Sequence, residues 1–526
     1  MSFISDNSIA KKTIICLTVL VALLFAFSSI INPCFAEPSV SNLNSNLFKY
    51  SILSWTENPR TTQTITWRTE DINQDRVQYQ PDVGFSGSFD SAREVIADGP
   101  IFNDGYFHFV ATIRELIPGT GYVYRVGKEG SWSESATFNT AAAGDKFSFL
   151  YMGDVQEGYN SWGEMVSKAY EDHPGLKFGI LGGDLVDDGS STEEWQQFFT
   201  AASPVFRRIP LMLSAGNHDN TDEFWNVFAL PRNGPAGYEE KFYSFDYGNC
   251  HIVVLNSNYM GAPGIGDYDK LINWLQNDLK NSEQRWKLVV FHHPPYPVVY
   301  DWRAEHLQNN WVPFLEQCGV DMVLVGHQHV YMRTKPLLNG AIQSDGEGIV
   351  YIMGNAGTKH YGPGPDYDYI AKQLAYVSNY QIISINGDIL TLIAKDADGN
   401  IIDSYEIVKQ PVTGNPIYTV IPVIDSAYQI ESTNDGIKAM TVNIGVSGMK
   451  YFGVQVESVK AHAGVETVVF SHLRDGFQLG INATKADFDV VDTAQAGFNV
   501  HPGDMVKAYV VDDLTNAIDH NPIVLQ

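Results

Sequence analysis

Short apolar runs that end on a glycine or a polar cluster recur through the middle of this chain. Residues 147–152 lead into Gly153-Asp154, and 177–181 into Gly183-Asp184-Leu185-Val186-Asp187. Residues 209–214 lead into Gly216-Asn217-His218-Asp219, 288–291 into His292-His293, and 322–325 into Gly326-His327-Gln328-His329. Runs of this length bounded by turn residues predict buried strands. Between them, Ser191-Thr192-Glu193-Glu194 has the form of a capping box and predicts a helix over 193–199. A second helix is predicted over 268–279, with Leu271, Trp274, Leu275 and Leu279 on one face. Runs at 349–353, 380–385 and 389–395 predict a closing antiparallel set of strands. Residues 145–408 therefore predict a layered α/β domain.

The flanks follow the period of two instead. Residues 48–142 predict an all-β module, with strands at 62–67, 107–113 and 122–126 and a turn at Pro118-Gly119. Ala141-Ala142-Ala143-Gly144 is the joint to the α/β domain. Residues 411–526 predict an accessory β-sandwich with strands at 454–461, 467–472 and 505–511 and a turn at Pro502-Gly503-Asp504. At the other end, Lys11-Lys12 precede an apolar run over 13–27, and Cys34-Phe35-Ala36 ends on a small residue. This predicts a secretory signal peptide over 1–36, cleaved after about Ala36, and a Ser/Asn-rich linker over 37–47. The expected location is secreted or in the cell envelope, with no transmembrane segment after cleavage.

The length of 526 residues suits about three domains. A net charge of −27 argues against broad nucleic-acid or anionic-membrane binding, which needs a basic footprint. Of the four cysteines, only Cys250 and Cys318 lie outside the leader. They read as buried free thiols, since a disulfide framework needs more.

The chemistry lies at the strand ends. In layered α/β sheets these converge on one rim, where ligands bind. Asp, Asn and His are the hard and borderline donors that suit a pair of divalent metals. The series GD, GDxxD, GNHD, VxxH and GHxH resembles the motif series of the calcineurin-like dimetal metallophosphoesterases. Residues 48–408 are similar in particular to purple acid phosphatases, through the segments 116–125 and 320–333. The resemblance implies a four-layer α/β/β/α sandwich behind a fibronectin type III-like N-terminal domain. It implies a first metal held by Asp154, Asp184 and His329 and a second held by Asp184, Asn217, His292 and His327, with Asp184 as bridge. It further implies a hydrolase in which a hydroxide held between the metals attacks phosphorus. His218 would serve as general acid or phosphate contact, oriented by Asp187, with His293 as a second acid. Arg303 and His360 are candidates for contact with substrate.

Two positions depart from the pattern. Purple acid phosphatases carry a Tyr that binds ferric iron where this chain has Asp187, so no tyrosinate-bound ferric ion and no purple band are expected. Many superfamily members carry His where this chain has Gln156, a poorer ligand that leaves the first site three strong protein donors and a place, at most, in or beside the shell. Mn, Fe and Zn all suit the donor set. The expected activity is hydrolysis of small phosphate monoesters. A phosphodiesterase with the same metal core is the alternative within the enzyme class. A nucleotidase-type enzyme would need a dedicated substrate domain in 411–526, and a non-catalytic cell-envelope binding protein would need a decayed site.

Overall fold

The computed structural model describes residues 48–526, apart from 104, 260, 262, 265, 345, 410–416, 433–436, 461, 463, 475, 476, 513, 515–521 and 523. The expected signal peptide and linker lie outside the described residues.

The first module is built from two antiparallel sheets. One runs in the order Phe48–Ser54, Gln63–Thr69, Tyr106–Ile113, Asp98–Asn103, and the other centres on Arg76–Pro81 and Gly121–Lys128. Alternate residues from both fill one core, among them Leu53, Ile65, Trp67, Phe109, Tyr124 and Phe138.

The middle region holds two larger sheets. In the first, the parallel strands Leu211–Leu213, Leu176–Leu181 and Lys146–Met152 continue into the antiparallel set Asn379–Asn386, Ile389–Asp396 and Ile401–Val408. In the second, Cys250–Val254, Trp286–Val290, Met322–Val325 and Val350–Met353 run parallel at the centre. Side chains of a strand alternate between faces, and the second sheet divides its residues accordingly. Ile252, Leu288, Val290, Met322 and Leu324 join the first sheet and the helices Tyr159–Asp172 and Thr192–Phe206 in one core. Val253, Val289, Val323 and Val325 face a separate core with Leu271, Leu275, Leu307 and Leu315 from the later helices.

Several elements differ in extent from expectation. The strand expected over 209–214 is only Leu211–Leu213, and it starts after Pro210, which has no N–H to pair. The helix expected over 193–199 runs Thr192–Phe206 and carries Pro204 within it. Its capping box forms by half: the Ser191 hydroxyl accepts from the Glu194 N–H, but the Glu194 carboxylate accepts instead from the N–H groups of Asp187 and Asp188. Residues 418–511 form a three-stranded and a five-stranded antiparallel sheet around a shared core that includes Tyr418, Phe452, Phe470 and Phe498. Cys250 and Cys318 are buried and free. No helix among the described residues is long and apolar enough to cross a membrane.

The two central sheets meet at one rim. Asp154 follows Lys146–Met152 of the first sheet, Asn355 follows Val350–Met353 of the second, and the two form a parallel bridge. All five motifs lie after strands at this rim.

Candidate metal centre

The loops at the rim are held by main-chain contacts. Gly183 has φ +98°, and a side chain there would stand 2.6 Å from the Gly216 nitrogen and 2.7 Å from His292 Nδ1. The Asp219 carboxylate accepts from the N–H groups of Leu185 and Gly216, both at 2.6 Å, and so ties the second motif to the third. Burial, and then the charge of Asp184, push the Asp219 carboxyl up to about 7. Asp184, His327 and His329 sit in the left-handed region, at φ +53°, +77° and +49°. Non-glycine residues pay roughly 1–2 kcal/mol for that conformation, and such strain clusters at ligand clamps.

Two donor groups result. Asp154, Asp184 and His329 form one, and His292, His293 and His327 the other; within each, the ligand atoms lie within 4.8 Å of one another. His329 Nδ1 contacts the Lys359 carbonyl at 3.0 Å, which leaves Nε2 facing Asp154 Oδ1 at 3.5 Å. His292 Nδ1 contacts the Gly182 carbonyl at 3.0 Å, and its Nε2 lies 3.1 Å from Asp184 Oδ2 and 3.2 Å from Asn217 Oδ1. Carbonyls that take one ring nitrogen fix the other for a metal. The Asp154 carboxylate accepts the His327 N–H, drawing the last motif onto the first.

The electrostatics fit a pair of cations. Asp154 and Asp184 are almost wholly buried and side by side. Burial raises the pKa of Asp154. Burial also works against the charge on Asp184, but His292 overrides it and lowers that carboxyl. In return the carboxylates hold His292 up at about 9 against its own burial. Burial, followed by the charge of His292, presses His327 down to about 4. Buried carboxylates and imidazoles in this number match the donor preference of divalent ions. The buried Nε2 of His293 has no hydrogen-bond partner among the described residues.

The remaining predicted residues fall as follows. His218 Nδ1 lies 2.6 Å from the main-chain carbonyl of Asp187 and 3.6 Å from its carboxylate. Asp187 thus contacts His218 through both its main-chain carbonyl and its carboxylate, the main-chain contact being the shorter. The Asp187 carboxylate turns to Lys359, whose Nζ is 2.7 Å away. Gln156 is fully buried and spans two charges, donating from Nε2 to Asp184 Oδ2 at 2.9 Å and accepting from Lys359 Nζ at 2.7 Å. His293 packs its Nδ1 against the Ser257 hydroxyl at 2.8 Å, and burial with neighbouring His292 and His327 lowers its pKa well below the usual range. Arg303 pairs with Asp301 at 3.3 Å, and Asp301 in turn contacts His327 Nε2 at 3.2 Å. His360 contacts the Ser378 hydroxyl at 3.1 Å and belongs to neither donor group. Sequence reasoning passed over Asp219, Asp301 and Lys359. Asp219 completes a motif already recognised, Asp301 caps the helix Trp302–Asn310 and carries only that helix-start signal, and Lys359 stands in a loop with no local signal.

Residues 147–331 match the family Calcineurin-like phosphoesterase, and residues 49–140 match the Purple acid Phosphatase N-terminal domain. Purple acid phosphatase 18 of Arabidopsis thaliana is 27% identical over 331 residues, covering 58% of this chain and 71% of its own length. Acid phosphatase type 7 of Mus musculus is 25% identical over 401 residues, covering 68% and 90%. Among solved structures, a purple acid phosphatase from yellow lupin (Lupinus luteus) seeds superposes with a TM-score of 0.58 at 18% identity, covering 70% of this chain and 75% of its own.

Proposed function

We propose a substrate and a setting for a chain that is, through its calcineurin-like phosphoesterase domain and its purple acid phosphatase N-terminal domain, a metal-dependent phosphoester hydrolase. It is a secreted or envelope-held enzyme that hydrolyses small phosphate monoesters. Its domains are the N-terminal module at 48–142, the catalytic α/β/β/α sandwich at 145–408 and an accessory β-sandwich at 411–526. The observation that carries the reading is the pair of buried donor groups at one rim, with three of their ligands in strained backbone.

Asp154, Asp184 and His329 would hold a first ion, and Asp184, Asn217, His292 and His327 a second. Bound there, Mn, Fe or Zn ions would polarise the phosphoryl oxygens and lower the pKa of water. The protein's part is orientation and proton transfer. The Gly182 and Lys359 carbonyls aim His292 and His329. The Asp187 carbonyl takes the Nδ1–H of His218, which makes Nε2 the nitrogen that passes a proton to the leaving oxygen. His218 keeps about a third of its side chain exposed (32%), as an acid that meets substrate requires. With Asp187 in place of the iron-binding Tyr and engaged by Lys359, that position offers no phenolate, which supports a colourless centre.

The test strips the purified protein of metal and restores Mn, Zn or Fe singly. Turnover of para-nitrophenyl phosphate is then compared with its bis-ester, with Asp184→Asn as blank. Metal-dependent turnover that favours the monoester supports the proposal. A preference for the diester reassigns it as a phosphodiesterase. Absence of both turnover and metal binding would move the chain to a binding role.

A further inference from the structure

The neutral amide of Gln156 lies between two groups that leave it a single orientation. An ammonium only donates hydrogen bonds and a carboxylate only accepts them. Lys359 Nζ stands 2.7 Å from Gln156 Oε1, and Gln156 Nε2 stands 2.9 Å from Asp184 Oδ2. Reversing the amide would set its NH2 against the ammonium and its carbonyl against the carboxylate. Gln156 therefore presents hydrogens, not oxygen, to the bridging Asp184. The same ammonium takes Asp187 Oδ1 at 2.7 Å. Lys359 thus engages one oxygen of each of the two residues that stand where related enzymes have additional first-site ligands.

We propose that Lys359 is a positioning residue that withholds Gln156 and Asp187 from the first metal. That metal then has three protein ligands, Asp154, Asp184 and His329, and keeps coordination positions for substrate oxygen and water. The inference rests on the dimetal reading above. The residue is well placed for the role, because its main chain is fixed independently of its side chain. The Lys359 carbonyl accepts from the Asn355 amide and His329 Nδ1, each at 3.0 Å. Replacing the side chain leaves both contacts in place.

The experiment is a Mn²⁺ titration of the metal-stripped protein, with free ion read by electron paramagnetic resonance. Wild type is expected to take two equivalents, one more weakly. Lys359→Met is expected to tighten the weaker site by about 10-fold, equivalent to about 1.4 kcal/mol of added ligand interaction. Adding Gln156→Ala and Asp187→Ala to that variant should cancel the gain. Two equivalents with an unchanged or weakened site in folded Lys359→Met would overturn the proposal. So would a gain that survives in the triple variant, and Lys359→Leu is read in the same way if Lys359→Met fails to fold. Wild type that binds no metal would instead sink the dimetal reading itself.

Discussion

At the scale of the residue, the centre separates groups that adjoin in sequence. Asp184 and Asp187 belong to one motif, yet only Asp184 reaches the donor group, while Asp187 faces Lys359. Asp184→Asn keeps the left-handed backbone, which Asn tolerates, and removes the charge proposed to bridge the two ions. It should abolish turnover and lower bound metal below two equivalents by elemental analysis; retention of most activity would sink Asp184 as the bridge. His218 and Asp187 should part company as well. His218→Asn should lower kcat on the order of 10²–10⁴-fold, the range for a lost general acid. Asp187→Asn keeps the carbonyl that orients His218, so its kcat should stay within about 5-fold of wild type, small beside that loss. Equal losses in both would restore the carboxylate as the orienting group. The donors Asp154, Asn217, His292, His327 and His329 are legible in sequence because each follows an apolar run. Lys359 is not, because its partner Gln156 lies 203 residues away, and Asp301 shows only as a helix cap while its contact with His327 spans 26 residues.

At the scale of the element, strands were easier to read than helices and loops. A buried parallel strand is a continuous apolar run, and its end is marked by the glycine that lets two loops approach. The helix Tyr159–Asp172 carries buried Tyr159, Trp162, Met165, Val166 and Ala169 at helical spacing. It begins on Gly158 with no side-chain cap, so the usual start signal is missing. The capping box at Ser191 was visible, but its Glu194 serves the loop that carries the Asp187 carbonyl to His218. That reassignment depends on a tertiary approach that no local pattern encodes. The glycines at loop crossings make a direct prediction. A side chain at Gly216 would come within 2.0 Å of Asp184 Oδ1. Gly216→Ala should therefore displace the bridging carboxylate and weaken metal binding in the titration above, while far-UV circular dichroism stays native. Wild-type metal affinity in that variant would show that the two loops can separate without cost to the centre.

At the scale of the whole molecule, the N-terminal module and the catalytic domain share a core. Trp55 of the first module lies against Phe178, Phe245 and Tyr247, and Ile52 and Ala141 join the same cluster. Trp55→Ala should cost about 3–5 kcal/mol, as for large buried aromatics, read as a lowered denaturant midpoint of the catalytic domain. An unchanged midpoint would mean that the two modules are energetically separate. Beside this shared core lies a cleft of about 780 Å³ lined by Asn58, Arg60, Asp246, His251 and Asp278 among others. His251 sits at the start of its strand, 2.7 Å from Asp246 and 3.0 Å from Asp278. Burial disfavours its charge, but the two carboxylates more than offset that and raise its pKa to about 9. The folded value thus exceeds the ordinary one of about 6.5. A raised imidazole pKa gives stability that is fully present below about 6.5 and is lost as pH rises through about 9. The contribution is on the order of 1–3 kcal/mol, since one of the two carboxylates is half exposed and screened. His251→Gln has about the same size and cannot hold the charge. Its deficit against wild type in denaturant unfolding should be largest near pH 6 and should shrink as pH approaches 9.5. A deficit that stays constant over this range would show that His251 contributes by packing, and that the charged triad adds nothing to the junction between the modules.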